Sequence, residues 1–177
     1  MHPAQAASPV LVWDVLTAYQ RTCALYAAIE LNLFGAVGAG AADAATLAQI
    51  CGASERGTRI LCDYLTILGL LEKKEGVYSH SPTSAAFLDP SSPACLASAS
   101  QFIAGPSMYE PYLRLTEAVR HGRTVLPGEG SVEPNNPIWV EFARGMAPMM
   151  APLAGPLASL VLQGRTGPVR VLDIAAG

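Results

Sequence analysis

The stretch from Ser8 to about Leu31 sets the tightest limit on how this chain can fold. Ser8-Pro9 is a helix start, a hydroxyl cap followed by a proline whose fixed φ and missing N–H suit the first turn. Beyond it, Leu11, Val12, Val15, Leu16 and Tyr19, then Cys23, Tyr26, Ala27, Leu31 and Phe34, leave a helix apolar on more than one face. Such a helix has to be buried on several sides. In a chain of 177 residues that cover takes a second subunit. Trp13, Leu16, Tyr19, Tyr26 and Ile29 would otherwise form an apolar patch larger than a soluble monomer tolerates.

Past this helix the chain is punctuated by turn chemistry. A Gly/Ala-rich stretch, Gly38 to Ala42, precedes a short helix from about Ala44 to Cys51, which Gly52 ends. Ser54 caps a third helix with Glu55 in its first turn, and Gly69 stands where a C-terminal glycine belongs. Ile60, Leu61, Tyr64, Leu65 and Leu68 are expected to form its core face. Leu70 and Leu71 lead into Glu72 to Tyr78, which reads as a hairpin turning at Gly76. Helix, helix, turn, helix and hairpin make a winged helix.

Ser81-Pro82-Thr83-Ser84 then caps a short helix through Leu88, and Pro90 to Pro93 is a spacer. Helices are expected from about Ala94 to Ile103 and Met108 to Arg120, with a loop from His121 to Pro137. A helical pattern resumes at Ile138; Pro148 could open a new helix, and Pro152 and Pro156 predict a kinked or broken one. Val169 to Ile174 is a β-branched run suited to the central strand of a parallel sheet. It ends in Asp173 and Ile174 and runs into Ala175-Ala176-Gly177, the way a Rossmann-like sheet opens a cofactor site.

Composition narrows the function classes. The chain is 51% hydrophobic and 14% charged, so it builds a core rather than staying disordered. A net charge of −3 argues against a large nucleic-acid footprint. The N-terminus lacks the pattern of a secretory signal, and no apolar run is expected to reach the ~20 residues of a membrane span. Cys23, Cys51, Cys62 and Cys95 are too scattered for a metal site and are expected to be free buried thiols in a reducing cytoplasm. The winged helix opens one alternative, a DNA-binding transcriptional regulator reading DNA with Arg56, Arg59, Lys73 and Lys74. The apolar remainder of that helix and the acids beside the lysines weigh against it.

In series, these elements resemble class I S-adenosylmethionine-dependent O-methyltransferases of the plant caffeate and flavonoid type and their bacterial natural-product-tailoring relatives. Tyr19 to Val37, containing Ala28-Ile29-Glu30-Leu31-Asn32-Leu33-Phe34, is similar to that family's N-terminal dimerisation helix. Thr46-Leu47-Ala48, Arg59-Ile60-Leu61, Leu68-Gly69-Leu70-Leu71, Tyr78 and Ser81-Pro82-Thr83 come in the order of its winged-helix domain. Val171 to Gly177 resembles its first cofactor motif, with alanines at 175 and 176 where many methyltransferases have glycine.

The resemblance implies a mainly α chain in three parts. These are a winged-helix dimerisation domain (residues 9–92), a helical segment contributing to the substrate pocket (93–164), and the first strand and loop of a truncated Rossmann-like α/β domain (165–177). It implies methyl transfer from S-adenosylmethionine to a hydroxyl of a small aromatic acceptor, by in-line displacement, in a cytoplasmic homodimer bound to neither nucleic acid nor membrane. Asp173, Ala175 and Gly177 would hold the cofactor. Phe142 and Met146 match a Phe-x-x-x-Met helix lining the family's acceptor pocket; Trp139 stands before it and Met149 after it. Ordinary core packing is the competing reading of those four. No metal is implied and no residue here is a catalytic acid or base. The family's histidine base and ribose-binding acid lie on a further sheet, so the natural chain is expected to continue past Gly177, and this stretch alone to be inactive.

Overall fold

The computed structural model describes residues 7–126 and 136–164 and positions 167, 169, 170 and 172. The chain divides into two compact units, Met1–Ser84 and Ala85–Gly177.

In the first unit, α1 (Val10–Glu30) starts at Pro9, with the Ser8 hydroxyl accepting from the Val10 N–H at 3.3 Å. It ends close to Leu31, as expected, and short only of the stretch to Val37 that the family resemblance spans. Asn32 adopts a left-handed φ of 51°, and α2 (Leu33–Gly38) sets off in a new direction. Asparagine tolerates that conformation because its short polar side chain finds local partners. The break puts Leu33, Phe34, Ala36 and Val37 into the core.

A short strand, β1 (Ala42–Asp43), lies where only a Gly/Ala-rich connection was expected. Asp43 then caps α3 (Ala44–Cys51) by accepting from the Thr46 N–H at 2.9 Å. Ser54 caps α4 (Glu55–Ile67) through the Gly57 N–H, as its sequence predicts. At the end of α4 the Gly69 N–H bonds the Thr66 carbonyl and the Leu70 N–H the Leu65 carbonyl, a Schellman closure that requires Gly69's φ of 76°. β2 (Leu71–Lys74) and β3 (Val77–His80) form the expected hairpin. Its two turn residues, Glu75 and Gly76, both have positive φ, which matches the twist of the strands. β1 pairs with β3, giving an antiparallel sheet of order β1-β3-β2.

Around this sheet Ala28, Phe34, Leu47, Cys62, Leu65, Leu71 and Tyr78 are buried. The expected core face of α4 is rotated. Thr58, Cys62 and Leu65 point inward, whereas Ile60 is exposed and Leu61, Tyr64 and Leu68 are not fully buried. Residues three and four apart share one face of a helix, and the tertiary fold selected the neighbouring one. The first half of α1 is uncovered: Val10, Leu11, Val12, Trp13, Val15, Leu16 and Tyr19 are all more than half exposed. Tyr26 and Ile29, expected among the uncovered residues, are half-buried.

The cysteines are free, but only Cys62 is buried, and burial pushes its thiol up to about 11. Cys51 and Cys95 are half-buried, and Cys23 is exposed on α1. The expectation of four buried thiols is corrected by the uncovered length of that helix.

α5 (Pro82–Phe87) spans the division between the units, with the Ser81 hydroxyl accepting from the Ser84 N–H. The second unit holds α6 (Ala97–Ile103), α7 (Pro106–Leu113), α8 (Leu115–His121) and α9 (Ile138–Leu162). The single helix expected from Met108 to Arg120 is two, divided at Arg114, where φ and ψ leave the helical range. α9 also departs from expectation. It is assigned as one helix of 25 residues across Pro148, Pro152 and Pro156. By length and composition it could cross a membrane, with a mean hydropathy of 1.4, a property that the proline-interrupted sequence was expected to lack. Residues 127–135 of the expected loop, and Val171, Asp173 and Ile174 of the expected strand, lie outside the described residues.

Candidate functional site

α9 carries the predicted acceptor residues on one strip. At 3.6 residues per turn, positions 139, 142, 146 and 149 fall within about 80° of helix circumference. That strip borders the buried side of the helix, where Ile138 and Gly145 lie. Trp139, Phe142 and Met149 are partly exposed, at 45%, 38% and 47%, and Met146 is half-buried. None of the four is fully enclosed in this chain.

The structure brings two of them into ring contact. Trp139 and Phe142 meet edge to face, with centroids 5.8 Å apart and planes at 85°. A third aromatic, which the sequence reading missed, joins from α6: Phe102 stands edge to face with Phe142 at 5.2 Å and 78°. Phe102 is far upstream in the chain, and its own helix gave no sign of which partner it would meet. A mixed edge and face arrangement suits the aromatic quadrupole. Met146 adds a polarisable thioether one turn along.

Asp173, Ala175 and Gly177, the predicted cofactor residues, lie outside the described residues. Two cavities lie away from the aromatic strip. One, of about 400 Å³, opens between α1 and α4 and is lined by Gln20, Ala24, Gly57, Ile60, Leu61 and Tyr64. The other, of about 240 Å³, is lined by residues of α7 together with Arg114, Val125 and Leu126.

The basic residues that a DNA reader would need are in part engaged inside the first unit. Lys73 Nζ donates to Asp63 Oδ1 at 2.6 Å and lies 4.9 Å from the centre of the Tyr78 ring. The Tyr78 hydroxyl donates to the same oxygen at 2.7 Å, and Arg59 reaches Asp63 Oδ2 at 3.5 Å. Hydrogen bonds from Lys73 and then Tyr78 hold the Asp63 carboxyl below the usual carboxylate range. The cluster binds the wing to α4 and offsets the charge a phosphate backbone would seek.

A family model described as the O-methyltransferase dimerisation domain matches residues 13–90. The chain is 34% identical over 175 residues to 3-hydroxy-5-methyl-1-naphthoate 3-O-methyltransferase of Streptomyces sahachiroi, a match covering 96% of this chain and 49% of that protein. A protein of Nostoc punctiforme PCC 73102 assigned as an O-methyltransferase has a crystal structure similar to this one. Its TM-score is 0.80 at 42% identity, over 90% of this chain and 48% of its own. Human N-acetylserotonin methyltransferase, solved in complex with SAM, gives a TM-score of 0.65 at 26% identity, over 86% of this chain and 46% of its own. The chain thus spans about half the length of these relatives. Neither these similarities nor the engaged basic residues support the DNA-binding alternative.

Proposed function

We propose that this chain, whose residues 13–90 match the O-methyltransferase dimerisation-domain model, is the N-terminal part of an S-adenosylmethionine-dependent O-methyltransferase. The substrate is a hydroxyl on a small aromatic metabolite, and the enzyme works as a cytoplasmic homodimer. The observation that carries the substrate class is the partly exposed pair Trp139 and Phe142, set edge to face beside Met146 on one strip of α9. A flat apolar ring packs well on such a surface. The Streptomyces sahachiroi relative supports the same reading, since its name specifies a naphthoate hydroxyl.

When bound, S-adenosylmethionine supplies an electrophilic methyl group. Asp173, Ala175 and Gly177 are the residues of this chain that would hold it. A carboxylate beside small residues suits a ligand rich in hydroxyls that must come close to the backbone. The work of α9 is orientation: Trp139, Phe142 and Met146 hold the acceptor ring so that its oxygen faces the donor, and their apolar surface excludes water. Met149 extends that wall by a further turn.

The dimer forms through the uncovered face of α1. On the same reading residues 9–92 serve dimerisation, 93–164 form the acceptor wall and 165–177 open the cofactor domain. No nucleic acid or membrane takes part.

The test is steady-state kinetics on the full-length protein with hydroxylated naphthoates as acceptors. Phe142→Ala and Met146→Ala each remove an apolar contact of about 1.5–3 kcal/mol, so the acceptor KM is expected to rise about tenfold or more. The cofactor KM should stay within about twofold. If both variants lose thermal stability while acceptor kinetics stay unchanged, these residues are packing only and the acceptor assignment fails.

A further inference from the structure

α9 comes so near α6 at Gly145 that a side chain would fit only if its neighbours gave way by a few tenths of an ångström. A Cβ there would lie 3.0 Å from the Cβ of Phe102 and 3.3 Å from the Cα of Ala99. This close approach decides where Phe102 stands. Its ring reaches Phe142, one turn before Gly145, and meets it at 78°. Trp139 meets the same ring at 85°. Phe142 is therefore held by one aromatic from α6 and another from α9, although 38% of its own surface stays exposed. An exposed phenylalanine without such support would rotate among its staggered conformers, and a ligand would have to order it on binding.

We propose that Phe102 is a positioning residue of the acceptor site: it fixes the Phe142 ring in its binding orientation, and Gly145 is a glycine so that α6 can come close enough to do this. The inference rests on the acceptor reading of α9 given above. Phe102 acts through Phe142 and need not touch the acceptor, which gives it a signature distinct from that of a lining residue. Its removal should weaken acceptor binding only while Phe142 is present.

The experiment is a double-mutant cycle in the full-length enzyme, with a hydroxylated naphthoate as acceptor. Phe102→Leu keeps most of the apolar volume. It is expected to raise the acceptor KM about fivefold, the scale of ordering one side chain, with the cofactor KM and kcat little changed. Phe102→Tyr keeps the ring and should retain the original KM. Gly145→Ala places a methyl against Phe102 and should mimic Phe102→Leu. In the Phe142→Ala background, Phe102→Leu should add nothing further.

A Phe102→Leu effect of equal size in both backgrounds would overturn the proposal, because Phe102 would then act independently of Phe142. So would a normal acceptor KM in Phe102→Leu when Phe142→Ala raises it; the acceptor reading would then stand alone. An unchanged KM in Phe142→Ala itself removes the acceptor reading and this inference with it. Should Gly145→Ala fail to fold, the Phe102→Leu and Phe102→Tyr pair decides the matter.

Discussion

Asp63 shows how one side chain can join elements that lie far apart along the chain. Its oxygens take donors from Arg59 on its own helix, from Lys73 on β2 and from Tyr78 on β3. The folded carboxyl titrates below its ordinary value, chiefly through the Lys73 hydrogen bond and then the Tyr78 one. A depressed carboxyl adds stability that is fully present above the unfolded value, about 4, and is lost as pH falls through the folded value. The stability gap between the natural chain and Asp63→Asn, measured by urea unfolding, should therefore be constant from about pH 5 to 8 and shrink below about pH 4. A gap that stays constant into stronger acid would mean that the charge of Asp63 contributes nothing. Residues with local duties were legible in advance: Ser54 as a cap, Gly69 at a helix end and Gly76 in a turn are each decided by neighbours within a few positions. Asp63 was not, nor was His80. His80 Nδ1 lies 2.8 Å from Ser84 Oγ, and Nε2 is 3.0 Å from the Phe34 carbonyl, 46 residues away. No spacing rule reaches that far.

Elements were predicted well where apolar period and caps agreed, and poorly where one local rule was read as decisive. α9 is the clearest instance. Pro148, Pro152 and Pro156 each remove an N–H that would have bonded the carbonyl four residues earlier. Being four apart, they thin the hydrogen-bond ladder along one strip and leave the rest of each turn intact, so the helix runs on through Leu162. An interior proline still costs about 3 kcal/mol. Pro152→Ala, at an exposed position, is expected to raise thermal stability and to increase helical ellipticity slightly. A melting temperature that falls would show that restriction of the unfolded chain by the proline ring outweighs the restored bond. Asn32 shows the converse: the helix ends near Leu31 as expected, but the apolar pattern runs on to Phe34 and the family resemblance to Val37, across a break. Periodicity counts side chains and does not register a backbone that turns left-handed for a single residue.

The exposed length of α1 belongs to the scale of the whole molecule. Trp13, Leu16 and Tyr19 are 64%, 58% and 53% exposed in the single chain. Covering several such side chains per subunit at about 25 cal/mol per Å² outweighs the freedom lost on association. A two-fold arrangement would present the same patch from both partners. Sedimentation of the full-length protein at low micromolar concentration is expected to give a dimer, and Leu16→Asp to shift it toward monomer. A folded monomer in the unmodified protein would end the proposal. The same preparation bears on α9: the protein should remain in the supernatant after membranes are pelleted without detergent, and recovery with the membrane fraction would favour lipid as the cover of that helix.

The sequence by itself determined the order and type of most elements, the Ser54 cap, the hairpin turn and the need of α1 for a partner surface, because each depends on side chains close together along the chain. It also placed Trp139, Phe142, Met146 and Met149 on one strip, since helical geometry needs only spacing. Only the tertiary structure decided which face of α4 turns inward, that β1 pairs with β3, and that Phe102 meets Phe142. Those outcomes depend on which surfaces approach one another in space. At Gly145 a missing side chain leaves space for a close approach, and its consequence appears only once α6 lies against α9.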